Sequence, residues 1–345
     1  MGSGSAVMES GAARDEKRLW ELPQPLTSRV DDRWDILGLG VVAVDDLVYL
    51  ASYPQADSKV PVQARRRQGG GLTGTALVAA ARLGAKTAYG GILGDDELSL
   101  YTIRELEREG IDCSPITYHA EARPCHSLVL VDQSTGQRTI LYSTEGMMPR
   151  QPEQVDEDMV RACRLLFVDS TTGHGGVRAV ELAHAHGIQA VGDVERLTVP
   201  GTEELMRQVD HLIVGVQLAQ QVTGASEPEQ MVRALGTGRT CCAVTAGDRG
   251  CWYTEGDSAV RTDGGEGTPP LIRHVPAYRV AVVDTTGCGD VFHGAYAACI
   301  ARGETVAAAI QVATAAAAIK ATQPGGRAGI PDRATVERFL SHARA

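Results

Sequence analysis

From Trp34 onward the chain alternates short, uniformly apolar runs with longer stretches whose apolar positions recur every three or four residues. The run Trp34-Asp-Ile-Leu-Gly-Leu-Gly-Val-Val-Ala-Val44 has no polar alternation and predicts a strand buried on both faces. Asp46 to Tyr53 and Lys59 to Arg67 predict shorter strands with one wet face. Leu72 to Leu83 turns helical, with Gly84 as its C-cap. Ala88 to Leu93 then reads as strand. Asp95 to Glu109 reads as a helix whose acidic start suits the positive end of the helix dipole. Ser127 to Asp132 and Arg138 to Tyr142 flank Gln133-Ser-Thr-Gly136 and predict a β-hairpin. Strand–helix units follow at Leu165–Asp169 with Val177–His186, and at Ile188–Gly192 with Thr202–Gln208. His211–Val214 leads into a helix ending near Gly224, and Cys242–Thr245 continues the strands. The Ala-rich stretch 304–321, with Lys320 and flanking glycines, fits an ordinary buried helix.

This alternation predicts an α/β fold, a mostly parallel sheet with helices on both faces. The hairpin and the early short strands do not belong to that layer and predict a small β-sheet lid, from about 46–69 and 123–145. Residues 1–30 are rich in Gly, Ser and charge without apolar period. They read as a disordered leader, leaving 31–345 as one domain.

Composition narrows the function. Only 4% of residues are aromatic and the formal net charge is −10, a poor match to a phosphate backbone or to stacked bases. No nucleic-acid partner is expected. No apolar run is long enough to span a membrane, and Ala6 spoils a myristoylation signal at Gly2. The 8 cysteines are scattered without a C-x-x-C pair, which points to reduced thiols and a cytoplasmic location. None of the 9 histidines is given a role; His184 and His186, two apart on a helix, face different ways.

The richest chemistry lies in Val280-Ala-Val-Val-Asp-Thr-Thr-Gly-Cys-Gly-Asp-Val-Phe-His-Gly-Ala295, an apolar strand, a glycine turn and an apolar helix. Unsatisfied N–H groups at such a helix start bind anions, and Gly287 and Gly289 let the backbone approach a phosphate. Asp290 at the same place either caps the helix or accepts a proton from a hydroxyl attacking phosphorus. Gly-x-Gly-Asp alone leaves these two readings even. The full seven-residue run between strand and helix favours phosphate chemistry.

Asp284-Thr-Thr-Gly-Cys-Gly-Asp290 resembles one signature of the ribokinase-like (PfkB) carbohydrate kinases, with Cys288 where Ala is usual. Gln68-Gly-Gly-Gly-Leu-Thr-Gly-Thr-Ala-Leu-Val-Ala-Ala-Ala-Arg-Leu-Gly84, followed by Gly91-Ile-Leu-Gly-Asp-Asp96, resembles the other. The resemblance covers roughly 34–343 and implies a ribokinase-like three-layer sandwich that uses ATP and Mg²⁺ to phosphorylate a small sugar, a ketose or a relative. It implies Asp290 as general base and the amides of Gly287, Cys288 and Gly289 as an anion hole. Asp45, Gly70, Gly71, Thr75, Lys59 and Arg138 match substrate-binding positions, Arg138 near the phosphates on the lid. Thr245, Gly247, Asp248, Thr286 and Gly325 match nucleotide-binding positions, the last in the adenine loop Ala321-Thr-Gln-Pro-Gly-Gly326. A monovalent cation, K⁺, near Asp284 and Thr286 and a homodimer joined through the lid strands are further implications. Phosphosugar, sugar-acid and nucleoside acceptors, or a sugar- or nucleotide-binding regulator with weak catalysis, are the alternatives.

The departures are informative. Arg138-Thr-Ile-Leu-Tyr142 agrees with ketohexokinases, yet Leu72 and Thr75 stand where those carry Asn. Val283 to Leu340 is closer to sulfofructose kinases, and Lys59 falls where they place a lysine. Thr171 and Leu141, however, replace their Arg and Asn. The family's Asn-x-x-Glu, which helps order Mg²⁺, should fall at Gly215 to Leu218, where neither residue occurs. Mg²⁺ is then expected to be held chiefly by ATP phosphates and water.

Overall fold

The computed structural model describes residues 34–135, 137–255 and 271–343. The expected leader and Gly136 of the hairpin turn lie outside these residues. In chain order the strands are β1 (Trp34–Leu39), β2 (Ala43–Leu50), β3 (Ala64–Gly70), β4 (Thr87–Tyr89), β5 (Ile92–Leu93), β6 (Thr117–Tyr118), β7 (Cys125–Asp132), β8 (Arg138–Ser143), β9 (Cys163–Asp169), β10 (Gln189–Val194), β11 (His211–Gly215), β12 (Cys241–Thr245), β13 (Cys251–Glu255) and β14 (Leu271–Val275). The helices are α1 (Leu72–Arg82), α2 (Glu97–Arg108), α3 (Glu157–Arg161), α4 (Gly173–Ala185), α5 (Thr202–Gln208), α6 (Val216–Thr223), α7 (Pro228–Leu235), α8 (Cys288–Ala301), α9 (Val306–Lys320) and α10 (Arg333–Ala343).

Eight strands form the main sheet in the order β14-β13-β12-β11-β10-β9-β1-β4. It is parallel from β4 to β12, with β13 and β14 added antiparallel at one edge. The period of two sorts each strand onto two cores. Ile36, Leu165, Phe167, Val191, Ile213 and Ala243 face α1, α8, α9 and α10. Leu37, Leu166, Val168, Ala190, Leu212 and Cys242 face α3 to α7. Burial on both faces explains why these strands read as continuous apolar runs. Among the described residues no helix is long and apolar enough to cross a membrane.

β1 pairs with β4 on one side and β9 on the other, so the connection order reverses there. In open α/β sheets a crevice forms at the carboxyl ends of strands flanking such a reversal. A second sheet, β3-β2-β7-β8, is built from the early strands and the hairpin.

Several expectations need correction. The apolar run 280–283 is not a strand: it lies between β14 and α8 without a ladder partner, and Val282 and Val283 are exposed. The stretch 88–93 is divided between β4 in the main sheet and β5, which pairs with β6. The run 34–44 is not one strand: the Asp169 carboxylate accepts the Val41 N–H at 2.7 Å, breaking the ladder and sending β2 into the second sheet. The strands expected at 46–53 and 59–67 lie at Ala43–Leu50 and Ala64–Gly70, because register pairs Ala43 with Gly70 and Tyr49 with Ala64. The sequence pattern also missed β13, β14, α7 and α10. Leu271–Val275 carries Arg273 and His274 on a half-wet edge strand, which blurs its period.

Candidate active site

Gly287 takes φ +74° and is the N-cap of α8, a conformation that an L side chain rarely adopts. No side chain caps this helix; the Cys288 N–H donates to the Thr285 carbonyl at 3.2 Å, and a helix start of this kind is suited to an anion. Asp290 lies in the first turn and makes no capping bond, which removes the capping reading. Its carboxyl is held well above the usual range, by burial first and then by the carboxylates of Asp193 and Glu195. The Arg327 guanidinium acts in the opposite direction. A base with a raised pKa is suited to work near neutral pH.

Asp284 ties the turn to its surroundings. Its Oδ1 accepts the Thr286 N–H at 2.8 Å and hydroxyl at 2.6 Å, and its Oδ2 accepts the Gly325 N–H at 2.8 Å. The Ala321 carbonyl accepts N–H bonds from Val283 and Asp284 at 2.8 and 3.1 Å. Loop 321–327 therefore packs directly on the turn. Arg138, the first residue of β8, places Nη1 3.7 Å from Asp284 Oδ1. Burial works to raise the Asp284 pKa, but the bonds from Thr286 and Gly325 outweigh it and hold the carboxyl below its usual range.

The second cluster lies where β2 and β3 meet α1. Asp45 is half-buried, and its carboxyl is raised by burial against the lowering effects of Ser127, Arg327 and Gln68. A methyl group at Gly70 would collide with this carboxylate, and one at Gly69 would collide with the Arg327 guanidinium. The glycine run thus makes room for an acid and a base of the protein itself. Arg327 is only 8% exposed; its Nη2 donates to the Gly70 carbonyl at 2.7 Å and its Nε to Thr75 Oγ1 at 3.4 Å. Thr75 is buried and oriented toward Arg327. Gly71, with φ +85°, is the N-cap of α1.

Beneath these clusters lie acids from the strand ends. Asp169, at the end of β9, is fully buried and accepts bonds from Val41 N, Thr73 Oγ1, Thr171 N and Thr171 Oγ1 at 2.6–2.8 Å. Asp193, on β10, is 2% exposed, and its Oδ2 has no hydrogen-bond partner. Its Oδ1 lies 3.3 Å from His293 Nε2. The same imidazole has Nδ1 2.8 Å from the Gly289 carbonyl and Nε2 3.2 Å from that of Ile213. His293 therefore braces the first turn of α8 against β10 and β11. Burial draws its pKa down and pushes that of Asp193 up.

Thr245 ends β12, where its hydroxyl meets the Val214 carbonyl at 3.4 Å. Gly247, at φ +59°, and Asp248 form the short helical turn that follows. Residues 215–218, where Asn-x-x-Glu was expected, form the start of α6 without a carboxylate. Lys59 lies in the exposed connection between β2 and β3, with no hydrogen bond or ion pair to the other site residues. Leu141 is 53% exposed, and Thr171 is bound to Asp169. The sequence reading missed Arg327, Asp193, His293 and the environment of Lys320. The signals were present as an Arg inside Gly325-Gly-Arg-Ala-Gly329 and a lone cation ending an alanine helix.

The pfkB family carbohydrate kinase profile matches residues 39–333, and the chain belongs to that family. It is a sugar kinase, a phosphotransferase with an alcohol group as acceptor. It is 24% identical over 312 residues to ribokinase of Bacillus subtilis, covering 89% of this chain and 99% of the relative. A candidate ribokinase structure from Agrobacterium tumefaciens superposes with TM-score 0.81 at 28% identity, covering 90% of this chain and 98% of that one. Arabidopsis thaliana ribokinase, complexed with ribose and ATP, shares the fold at TM-score 0.73 and 21% identity, covering 89% of this chain and 99% of that one.

Proposed function

We propose that this pfkB family kinase transfers the γ-phosphoryl group of MgATP to a hydroxyl of a small sugar, a ketose or a close relative, with Asp290 as general base. The observation that carries this reading is the placement of Asp290. It lies in the first turn of α8 beside uncapped amides, takes no part in capping and has a raised pKa. The sugar lies between Asp45 and the Gly70–Gly71 backbone. Asp290 removes the hydroxyl proton as the oxygen attacks phosphorus in line, and ADP departs. The amides of Gly287, Cys288 and Gly289 stabilise the charge on the transferring group, and Arg138 adds to them from the small sheet. That sheet acts as a lid, excluding water that would otherwise accept the phosphoryl group. The turn 245–248 and loop 321–326 flank the nucleotide.

Mg²⁺ would neutralise charge on the ATP phosphates. Two hard-oxygen donors fit it: Asp193, whose buried Oδ2 is unpartnered, and Glu195, which shares the neighbourhood of Asp290. The outer face of the small sheet, with exposed Leu128 and Leu141, is where a homodimer would join. A nucleotide-binding regulator is the second reading, favoured by the missing Asn-x-x-Glu at 215–218. ADP release by the purified chain across a panel of ketoses, aldoses, sugar acids, phosphosugars and nucleosides tests both. Turnover with one neutral sugar supports the proposal, and ATP binding with no turnover on any acceptor selects the regulator.

A further inference from the structure

The resemblance implies a monovalent cation beside Asp284 and Thr286, and the residues present do not fit one. Lys320 is fully buried at the end of α9, and its Nζ donates to the main-chain carbonyl of Asp284 at 2.9 Å. Both carboxylate oxygens of Asp284 are occupied by N–H and O–H donors from Thr286 and Gly325. The Arg138 guanidinium already lies 3.7 Å from Oδ1. A bare K⁺ must exchange its hydration shell for several free oxygens. Here the Asp284 carboxylate and carbonyl oxygens are engaged, and a positive charge sits on the carbonyl.

We propose that the Lys320 ammonium is the permanent monovalent cation of the phosphate turn, so that this kinase needs no K⁺. The inference rests on the kinase reading above. Lys320 holds the Asp284 carbonyl and so sets the backbone leading into Thr286 and the amides of Gly287 to Gly289. It also places positive charge near Asp284, Cys288 and Asp290, behind the transferring phosphoryl group. An ammonium in an otherwise alanine-rich helix end is costly unless its charge is used, because burial penalises it. As a tethered group it loses less freedom on binding the turn than a free ion would.

The test compares the full chain in choline chloride and in KCl, reading ADP release and, separately, ADP affinity by calorimetry. Wild-type turnover and affinity should each change by less than about twofold between the two salts. Lys320→Ala, which leaves space for an ion, should lose about tenfold or more in choline and recover most of it with K⁺ or NH₄⁺. Lys320→Met, which fills that space without charge, should be equally impaired and not recover. Stimulation of the wild type by about fivefold or more on adding K⁺ overturns the proposal. So does a Lys320→Ala protein that K⁺ and NH₄⁺ neither fold nor reactivate, which would leave the lysine a purely structural role. If no sugar is turned over, the kinase reading fails on its own, and the salt dependence of ADP affinity still decides the role of Lys320.

Discussion

Arg327 donates Nη2–H to the carbonyl of Gly70 at 2.7 Å, joining positions 257 residues apart. This bond connects the glycine run before α1 to the loop after α9, so the two signature segments meet through a third, C-terminal one. Burial draws the guanidinium pKa down to about 10, while Asp45 and Asp290 favour its charged form. Arg327 is thus the counter-charge shared by Asp45 and Asp290.

Arg327→Met should destabilise the protein by about 1–3 kcal/mol, the usual cost of leaving a buried polar group such as the Gly70 carbonyl without its donor. In the folded fraction, the KM for sugar should rise while ADP affinity changes little. Thermal melting and steady-state kinetics check this, and an unchanged KM would remove Arg327 from the acceptor side of the site.

Asp290→Asn should bind ATP and sugar nearly as well as the wild type and lose about 10²–10⁴ in turnover, the usual range for a general base. ADP release and calorimetry measure the two quantities. Retained turnover would strip Asp290 of its role.

The raised pKa of Asp290 has opposite consequences for rate and for stability. Turnover requires the carboxylate, so kcat should fall as pH drops through the raised value. The folded state holds this proton more tightly than the unfolded chain. The Asp290 contribution to stability is therefore unfavourable above the folded pKa and is relieved as pH falls through it. Asp290→Asn should accordingly melt higher than wild type at pH 8, with the gap closing in mildly acidic buffer. A constant gap across that range would argue against the shift.

Gly70→Ala should put a methyl group against the Asp45 carboxylate. The expected outcome is a sugar KM raised by about tenfold or more with ADP affinity unchanged. Equal loss for both ligands would mean that the surrounding strand β3, rather than the sugar contact alone, had moved.

Much of this protein was legible in its sequence because local patterns carry it. Consecutive apolar residues at Leu165–Asp169 and His211–Val214 mark strands buried on both faces, and the glycine turn before α8 marks a candidate anion site. Matches to two family motifs put forward Gly70, Gly71 and Asp290 as candidates, the wider resemblance added Asp45, and the fold brings Asp45 and Asp290 to a common counter-charge. Local pattern failed wherever a distant group intervened. The break at Gly40–Val42 depends on Asp169, 128 positions from Val41. The extent of β2 depends on pairing with β3 and β7.

The sequence by itself determined the layered architecture and put forward the glycine turn and Asp290 as the proposed phosphate site and base, because periodicity and a seven-residue motif are properties of neighbouring residues. Only the tertiary structure decided the charges around that turn. Thr75 turned toward Arg327 when the 327 loop came to rest against α1. Lys320 became the cation of the Asp284 carbonyl because α9 ends there, 36 positions along the chain. Electrostatic partners act through space, and only the folded chain sets those distances.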